Sequence, residues 1–437
     1  MKKVLLINPP TPFLGIPRAA PHLGMGYLIS YVRMVFGSKV YVQYLNLETE
    51  DPAKIVLPEG YDIYGFTAVT AQYHYAVLLL AQVKERKLGK TVIGGAHASL
   101  LPEECLKDGF DYVVRGFGEV ALASILSEKS QPGIIQGTRI DDLDSIPFPA
   151  WEDITTDYDV SYGNRVGHIF TQRGCPWTCY YCCSPRIYGN IVRNRSIKDV
   201  VREIEFLKRN YGIDTVYFFD PTLTLDRERT LKLSAAMQKL EVTWTGQTRV
   251  DRVDANLLES MHKAGCAQLS YGIEASNPEL LGKGTNLDLN GIAIDMTHAA
   301  GMTVKSFLMG GLPTDTPETV EGQKAFLRRY KPDSWLYSTF IPFPGTAYWE
   351  FPEAFGINIL CKDFRAYYPL GLNARGPVNI RTEWLDRDGI LSLRNDFLEF
   401  LRNELPCERV ENAIRRFPQQ RAIAERYFEG LDLKYMF

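Results

Sequence analysis

The sequence predicts an α/β protein: a parallel sheet covered by helices, then a longer series of strand–helix units, then a smaller, mainly helical C-terminal region. Two patterns carry that reading. Short apolar runs alternate with longer segments whose apolar residues recur at helical spacing, and Gly, Pro and Asn clusters punctuate them. A third feature is local. The run Arg173-Gly174-Cys175-Pro176-Trp177-Thr178-Cys179-Tyr180-Tyr181-Cys182-Cys183 sets three cysteines at C-x3-C-x2-C spacing, directly after a strand-like stretch at 166–171.

In the first 132 residues, strands are expected at 3–7, 40–45, 62–66, 91–93 and 112–114, with helices at 23–35, 73–86 and 118–127. Open parallel sheets bind ligands outside the carboxyl ends of their strands. Those ends carry Asn8-Pro9-Pro10, Gly65-Phe66-Thr67 and Gly94-Gly95-Ala96-His97, and glycine lets a backbone approach a large flat ligand closely. Residues 133–152, with Pro147, Pro149 and the acidic Asp141, Asp142 and Asp144, read as a connector.

From 153 to 350 the strand–helix pattern repeats. Strands are expected at 166–171, 215–219, 242–246, 268–273, 303–309 and 334–340. Ser196 caps a helix with Val200, Ile204 and Leu207 on one face. Further helices are expected at 227–240, 255–264, 287–300 and 318–329. Polar motifs fall at the strand ends: Asp220-Pro221-Thr222, Gln247-Thr248-Arg249, Glu274-Ala275-Ser276, Gly310-Gly311-Leu312-Pro313 and Pro342-Phe343-Pro344. Residues 351–437 lose the repeat. They contain Tyr367, Tyr368, Asn373, Arg375 and Arg381 in a loop-rich stretch and a helix at 384–401, and are expected to cap the substrate site.

One tight loop with the spacing of Cys175, Cys179 and Cys182 can hold three corners of a [4Fe-4S] cube and leave the fourth iron without a protein thiolate. The competing zinc reading lacks a second Cys pair, and His168 is the only nearby histidine. A disulfide framework is disfavoured, because the cysteines are not laid out as one and no secretory segment is evident. The loop, with Tyr181 before its last cysteine, resembles the signature of the radical S-adenosylmethionine (SAM) superfamily, and V-K-S-F-L-M-G-G-L-P-T-D-T-P-E (304–318) matches that family's fifth-strand pattern. The resemblance implies a partial (β/α)6 barrel in which the open iron binds SAM. In it, SAM is cleaved to a 5′-deoxyadenosyl radical. It further implies Asp220 near the methionine end, Arg249 for the SAM carboxylate, Glu274 with Ser276 for ribose or amino group, and Gly310 among the SAM contacts.

The N-terminal motifs N-P-P, P-H-L-G-M-G-Y-L, G-G-A-H-A-S-L-L-P-E-E and D-Y-V-V-R-G-F-G-E resemble the Rossmann-like cobalamin-binding domain of cobalamin-binding radical SAM enzymes. That resemblance implies a corrin ring across the ends carrying Asn8, Thr67, Gly94 and Gly95, with Gln72 and Tyr73 near its lower face. No D-x-H-x-x-G motif offers a histidine to cobalt, and Phe117 stands where an acidic residue is common. His97 reads as a loop-bracing histidine rather than a metal ligand. Cys105, Cys183, Cys266, Cys361 and Cys407 read as ordinary buried thiols.

Composition fits this frame. Of 437 residues, 45% are hydrophobic and 23% charged, and the formal net charge of -3 without a basic block argues against nucleic acid as a partner. No apolar stretch approaches the roughly 20 residues of a membrane span, and reduced thiols point to the cytoplasm. The resemblance implies a methyltransferase of natural-product type that acts on an unactivated carbon or phosphorus centre of a small molecule. It would use one SAM to methylate cobalamin and another to make the radical, with flavodoxin or ferredoxin as reducing partner. The alternatives are a non-methylating radical enzyme (dehydratase, epimerase, ring rearrangement or sulfur insertion) and a cobalamin or metal sensor. The complete cysteine loop disfavours the sensor.

Overall fold

The structure is a computed structural model that describes residues 1–14, 20–154, 160–161, 164–369 and 376–405. The first sheet contains β1 (Lys2–Asn8), β2 (Val40–Asn46), β3 (Ile63–Thr67), β4 (Lys90–Gly94), β5 (Tyr112–Arg115) and β6 (Gly133–Gln136). Its order is β2-β1-β3-β4-β5-β6, parallel throughout. The helices α1 (Leu23–Phe36), α2 (Tyr73–Glu85), α3 (Gly95–Leu100), α4 (Pro102–Lys107) and α5 (Glu119–Leu126) cover it. Alternation along the strands feeds two cores. Val4, Leu6 and Val42 face α1 and α5, whereas Leu5, Ile7, Tyr64 and Phe66 face α2. The order reverses between β1 and β3, which places a ligand crevice beside Asn8 and Thr67.

The strand β6 lies inside the stretch read from sequence as a connector. It pairs with β5 from Tyr112↔Gly133 to Arg115↔Gln136. Its half-exposed edge position explains why it carries no apolar run. The connector proper then holds α6 (Trp151–Ile154).

The second sheet has the order β15-β14-β13-β12-β11-β8-β7. Its parallel members are β8 (Asn164–Ile169), β11 (Thr215–Phe218), β12 (Thr243–Thr248), β13 (Cys266–Glu274), β14 (Thr303–Gly310) and β15 (Ser334–Thr339). These six match the expected open barrel, and the short antiparallel β7 (Val160–Ser161) extends its edge. The outer helices are α8 (Ile197–Tyr211), α9 (Arg227–Leu240), α10 (Ala255–Lys263), α11 (Leu287–Ala299) and α12 (Pro317–Tyr330). Ser196 caps α8 as its sequence position suggests, its side chain accepting from the Asp199 amide. Between β8 and α8 lie β9 (Gln172–Arg173), the cysteine loop, α7 (Ser184–Tyr188) and β10 (Arg193–Asn194), with β9 and β10 antiparallel.

After the barrel come α13 (Ala347–Glu350), the hairpin β16 (Ile357–Ile359) with β17 (Ile380–Thr382), and α14 (Arg387–Glu404). Thus the C-terminal region is helical in part only. Asn373, Arg375 and Cys407 lie outside the described residues.

Candidate active site at the barrel mouth

The cysteine loop is anchored before it begins. Asp220, fully buried after β11, accepts from the Thr171 amide and hydroxyl and from the Gln172 amide at 2.5 to 3.0 Å. Gly174 then turns with φ 101°, where a side chain would strike the Ile191 backbone. Within the loop the Cys182 amide donates to the Cys179 carbonyl. Tyr180 ties the loop outward, donating to the Leu281 carbonyl and accepting from the Ala347 amide. Cys175, Cys179, Cys182 and Cys183 are all free and half-buried.

Two cations flank Cys179. The Arg249 guanidinium lies 4.0 Å from its sulfur and 3.9 Å from the centre of the Trp177 ring, and it is also bound by Asp251 and the Lys283 carbonyl. Lys283, 5% exposed, holds Glu274 at 3.0 Å and donates to the Gly272 carbonyl. Burial pushes the Cys179 thiol up, while Lys283 and Arg249 pull against it. Cys175 is also raised by burial, opposed by the Trp177 amide, Arg249 and the Thr222 hydroxyl. Among the described residues no three metal-ligating side chains converge on one ion. Thiolates that each meet a different iron of a cube need no such common point. The donors present therefore fit a three-thiolate cluster with cations offsetting its charge.

Glu274 occupies an unusual backbone state. Its φ is 64°, beside a register shift after Gly272, and its carboxylate accepts from the Tyr181 hydroxyl at 3.0 Å. Side chains held there cost on the order of 1–3 kcal/mol and concentrate at functional sites. Gly272 accommodates the arrangement, since a side chain there would strike both Glu274 and Lys283.

The structure brings Arg249, Glu274 and the cysteines together, but not every residue that the sequence suggested. Asp220 is the brace of the entry strand rather than a group open to SAM; burial pushes its carboxyl up to about 6 despite three donors. The Ser276 hydroxyl turns to the Thr319 carbonyl on α12. The α-carbon of Gly310 faces the outer helices, where the Tyr337 hydroxyl fills the space a side chain would take. Lys283 went unnoticed in the sequence, its only signal being a Gly-Lys-Gly turn after the fourth barrel strand.

At the first sheet, Gln72 bridges the strand ends, donating to the Asn8 side chain at 2.9 Å and the Pro9 carbonyl at 2.6 Å. Gly95, exposed at φ 88°, lies so close that a side chain would meet the Thr67 hydroxyl and the Ala68 backbone. Gly94 precedes it at the end of β4. Tyr73 is not offered to this face. It is buried, bonded to Asp108 at 2.6 Å and stacked on His97 at 3.8 Å. His97 is fully buried and neither ring nitrogen has a hydrogen-bond partner among the described residues, so no such bond to them braces the loop. Burial lowers it to about 3, which keeps the ring neutral. An orphaned polar ring, bare backbone at Gly95 and the exposed Val69 beside β3 fit a large, partly apolar ligand such as cobalamin. The N-terminal domain also packs on the barrel: Gly345, after β15, lies against Leu100 at the C-terminal end of α3 and Arg186 of α7.

Two family models match the chain, a B12 binding domain at residues 16–126 and the radical SAM superfamily at 169–326. An uncharacterized methyltransferase of Pyrococcus horikoshii is 28% identical over 397 residues, covering 84% of this chain and 86% of that protein. The cytidylyl-2-hydroxyethylphosphonate methyltransferase of Streptomyces wedmorensis is 27% identical, covering 74% and 76%. Among solved structures, the radical SAM methyltransferase TsrM of Kitasatospora setae superposes with a TM-score of 0.64 at 17% identity, covering 85% and 79%; this likeness speaks for the fold. With both matched domains in one polypeptide and the cysteine loop seated at the barrel mouth, the chain belongs to the radical SAM enzymes that carry a B12-binding domain.

Proposed function

We propose that this protein is a cobalamin-dependent radical SAM methyltransferase acting on an unactivated carbon or phosphorus centre of a small molecule. The observation that carries the reading is the packing of the two matched domains against each other: Leu100, at the end of the helix α3 that begins at Gly95, and Arg186, just after the cysteine loop, both lie against Gly345 in the loop after β15. When bound, the cluster and SAM supply a hydrogen-abstracting radical and cobalamin supplies a methyl group; such cofactors carry the hard chemistry. The residues of this chain position them. Cys175, Cys179 and Cys182 would hold the iron of the cluster, Arg249 and Lys283 offset charge at Cys179, and Glu274 presents a carboxylate at the strand end. Asn8, Thr67, Gln72, Gly94 and Gly95 lie at the strand ends that would hold cobalamin.

Residues 1–136, which include the edge strand β6, and 153–350 are assigned to the two cofactors, and the C-terminal region to the substrate walls. A small electron-transfer protein such as flavodoxin or ferredoxin would supply the reducing electron. No helix among the described residues is long and apolar enough to cross a membrane; an oxygen-sensitive cluster suits the cytoplasm.

Anaerobic reconstitution with iron and sulfide, followed by absorbance spectra with and without hydroxocobalamin, tests the reading. Iron–sulfur absorbance, one bound cobalamin per chain and SAM-dependent 5′-deoxyadenosine are expected. SAM cleavage without any cobalamin binding would instead favour a radical enzyme that does not transfer methyl.

A further inference from the structure

We propose that Glu119 of the N-terminal domain is a positioning residue for the cysteine loop, so that the first sheet sets the geometry of the cluster site across the domain boundary. Arg173 is two residues before Cys175, and its Nη1 lies 2.6 Å from Glu119 Oε1, with side-chain exposures of 16% and 6%. The same guanidinium rests on the ring of Tyr27 from α1, 4.7 Å from its centre. Two parts of the N-terminal domain therefore grip one side chain at the base of the loop.

The grip is reinforced on the neighbouring strand. Arg193 pairs with Arg173 in the β9–β10 ladder, and its guanidinium covers the Phe117 ring at 4.6 Å. Phe117 in turn sits over Gly137, where no side chain would fit. The segment from Arg115 to Glu119 thus contacts both strands that frame the loop. On the barrel side, Asp220 fixes Thr171 and Gln172. Four consecutive residues before Cys175 are accordingly set by two carboxylates, one from each domain, and by the turn at Gly174.

An ion pair this far from water is directional and costly to break from one side, because the remaining charge is left without its partner. Held in place, Arg173 fixes where the loop starts and hence where the first sulfur points. Positioning residues matter when small displacements of reacting groups cost large factors in rate.

The test uses the full-length chain and Glu119→Gln, which keeps the shape and removes the charge. Hydrogen–deuterium exchange of the as-purified protein should quicken in peptides covering 171–183 and stay unchanged in β1. After reconstitution, SAM cleavage should fall about tenfold or more, with a changed electron paramagnetic resonance signal of the reduced cluster. Arg173→Lys, which retains the charge but loses the planar fork, should fall between the two. Exchange in 171–183 indistinguishable from wild type would overturn the proposal, as would normal cleavage in Glu119→Gln. If that variant unfolds, Arg173→Lys carries the same two readouts, and wild-type values in both would overturn it.

Discussion

Lys283 Nζ lies 3.0 Å from Glu274 Oε1, with both side chains nearly out of solvent and the glutamate held at φ 64°. The lysine does two things at once. It neutralises a buried carboxylate, and through the Gly272 carbonyl it fixes the bulged backbone that aims that carboxylate at the barrel mouth.

Replacing Lys283 with Met should therefore destabilise the fold by about 3–5 kcal/mol, the usual consequence of stranding one member of a buried pair. It should also weaken SAM binding, because Glu274 can relax out of its constrained backbone state. Denaturant titration and equilibrium binding of SAM to the reconstituted protein measure the two effects separately. Unchanged stability would mean that Tyr181, the other donor to Glu274, suffices by itself.

Asp315 gives a pH-dependent prediction. Burial pushes its carboxyl up to about 7, against two backbone amides, Gly311 and Leu312, that both donate to Oδ2. Tyr337, Gln323 and Arg394 line the same small cavity behind β14. The folded state keeps a proton that the unfolded chain releases near 3.8, so this group's contribution falls as pH rises from about 4 to about 7 and is flat above. One oxygen accepts both amides, so an asparagine carbonyl can replace it. Asp315→Asn should flatten that slope and exceed the wild type at pH 8 by on the order of 4 kcal/mol. Urea denaturation of both proteins at pH 5 and pH 8 decides it; parallel profiles would contradict the assignment.

How far the sequence could be read depends on whether the information is local. Strand–helix alternation is local, and the six parallel barrel strands fall where apolar runs and turn residues place them. Cluster ligation is local too, since Cys175, Cys179 and Cys182 lie within one loop. By contrast, β6 is a short edge strand whose register comes from β5, so its own residues carry little signal. Asp220, Ser276 and Tyr73 sit where strand-end or crevice residues were expected, yet their side chains point to Thr171, Thr319 and Asp108. Position along the chain identified the rim, while tertiary partners decided which side chains face it. Lys283 shows the reverse: an unremarkable loop residue brought beside Cys179 by the return of the chain after β13.

The loop also separates its adjacent cysteines. Cys183 is the N-cap of α7, so its backbone already belongs to the element that leaves the loop. Neighbouring residues cannot readily reach two corners of one cube. Cys183→Ala should keep full iron content and cluster absorbance, whereas alanine at Cys175, Cys179 and Cys182 together should abolish both. Iron and sulfide assays after anaerobic reconstitution distinguish the two outcomes, and loss of iron in Cys183→Ala would count against the ligand set.

His97 separates a ligand-facing role from a packing role in the N-terminal domain. Its ring is stacked on Tyr73 and met edge-on by Phe364 at 5.2 Å, yet both nitrogens are buried without partners among the described residues. A polar ring left that way costs on the order of 1–3 kcal/mol in the free protein, so Phe at this position should leave the apo fold equally stable or more so. If the ring nitrogens are kept to meet a polar group of cobalamin, His97→Phe should weaken hydroxocobalamin binding roughly tenfold or more while the melting temperature holds or rises. Absorbance titration with hydroxocobalamin, run beside thermal melts of the apo proteins, reads both quantities. Undiminished affinity together with raised stability would make His97 a packing residue and move the polar contacts of the ligand to Gln72 and the backbone at Gly94 and Gly95.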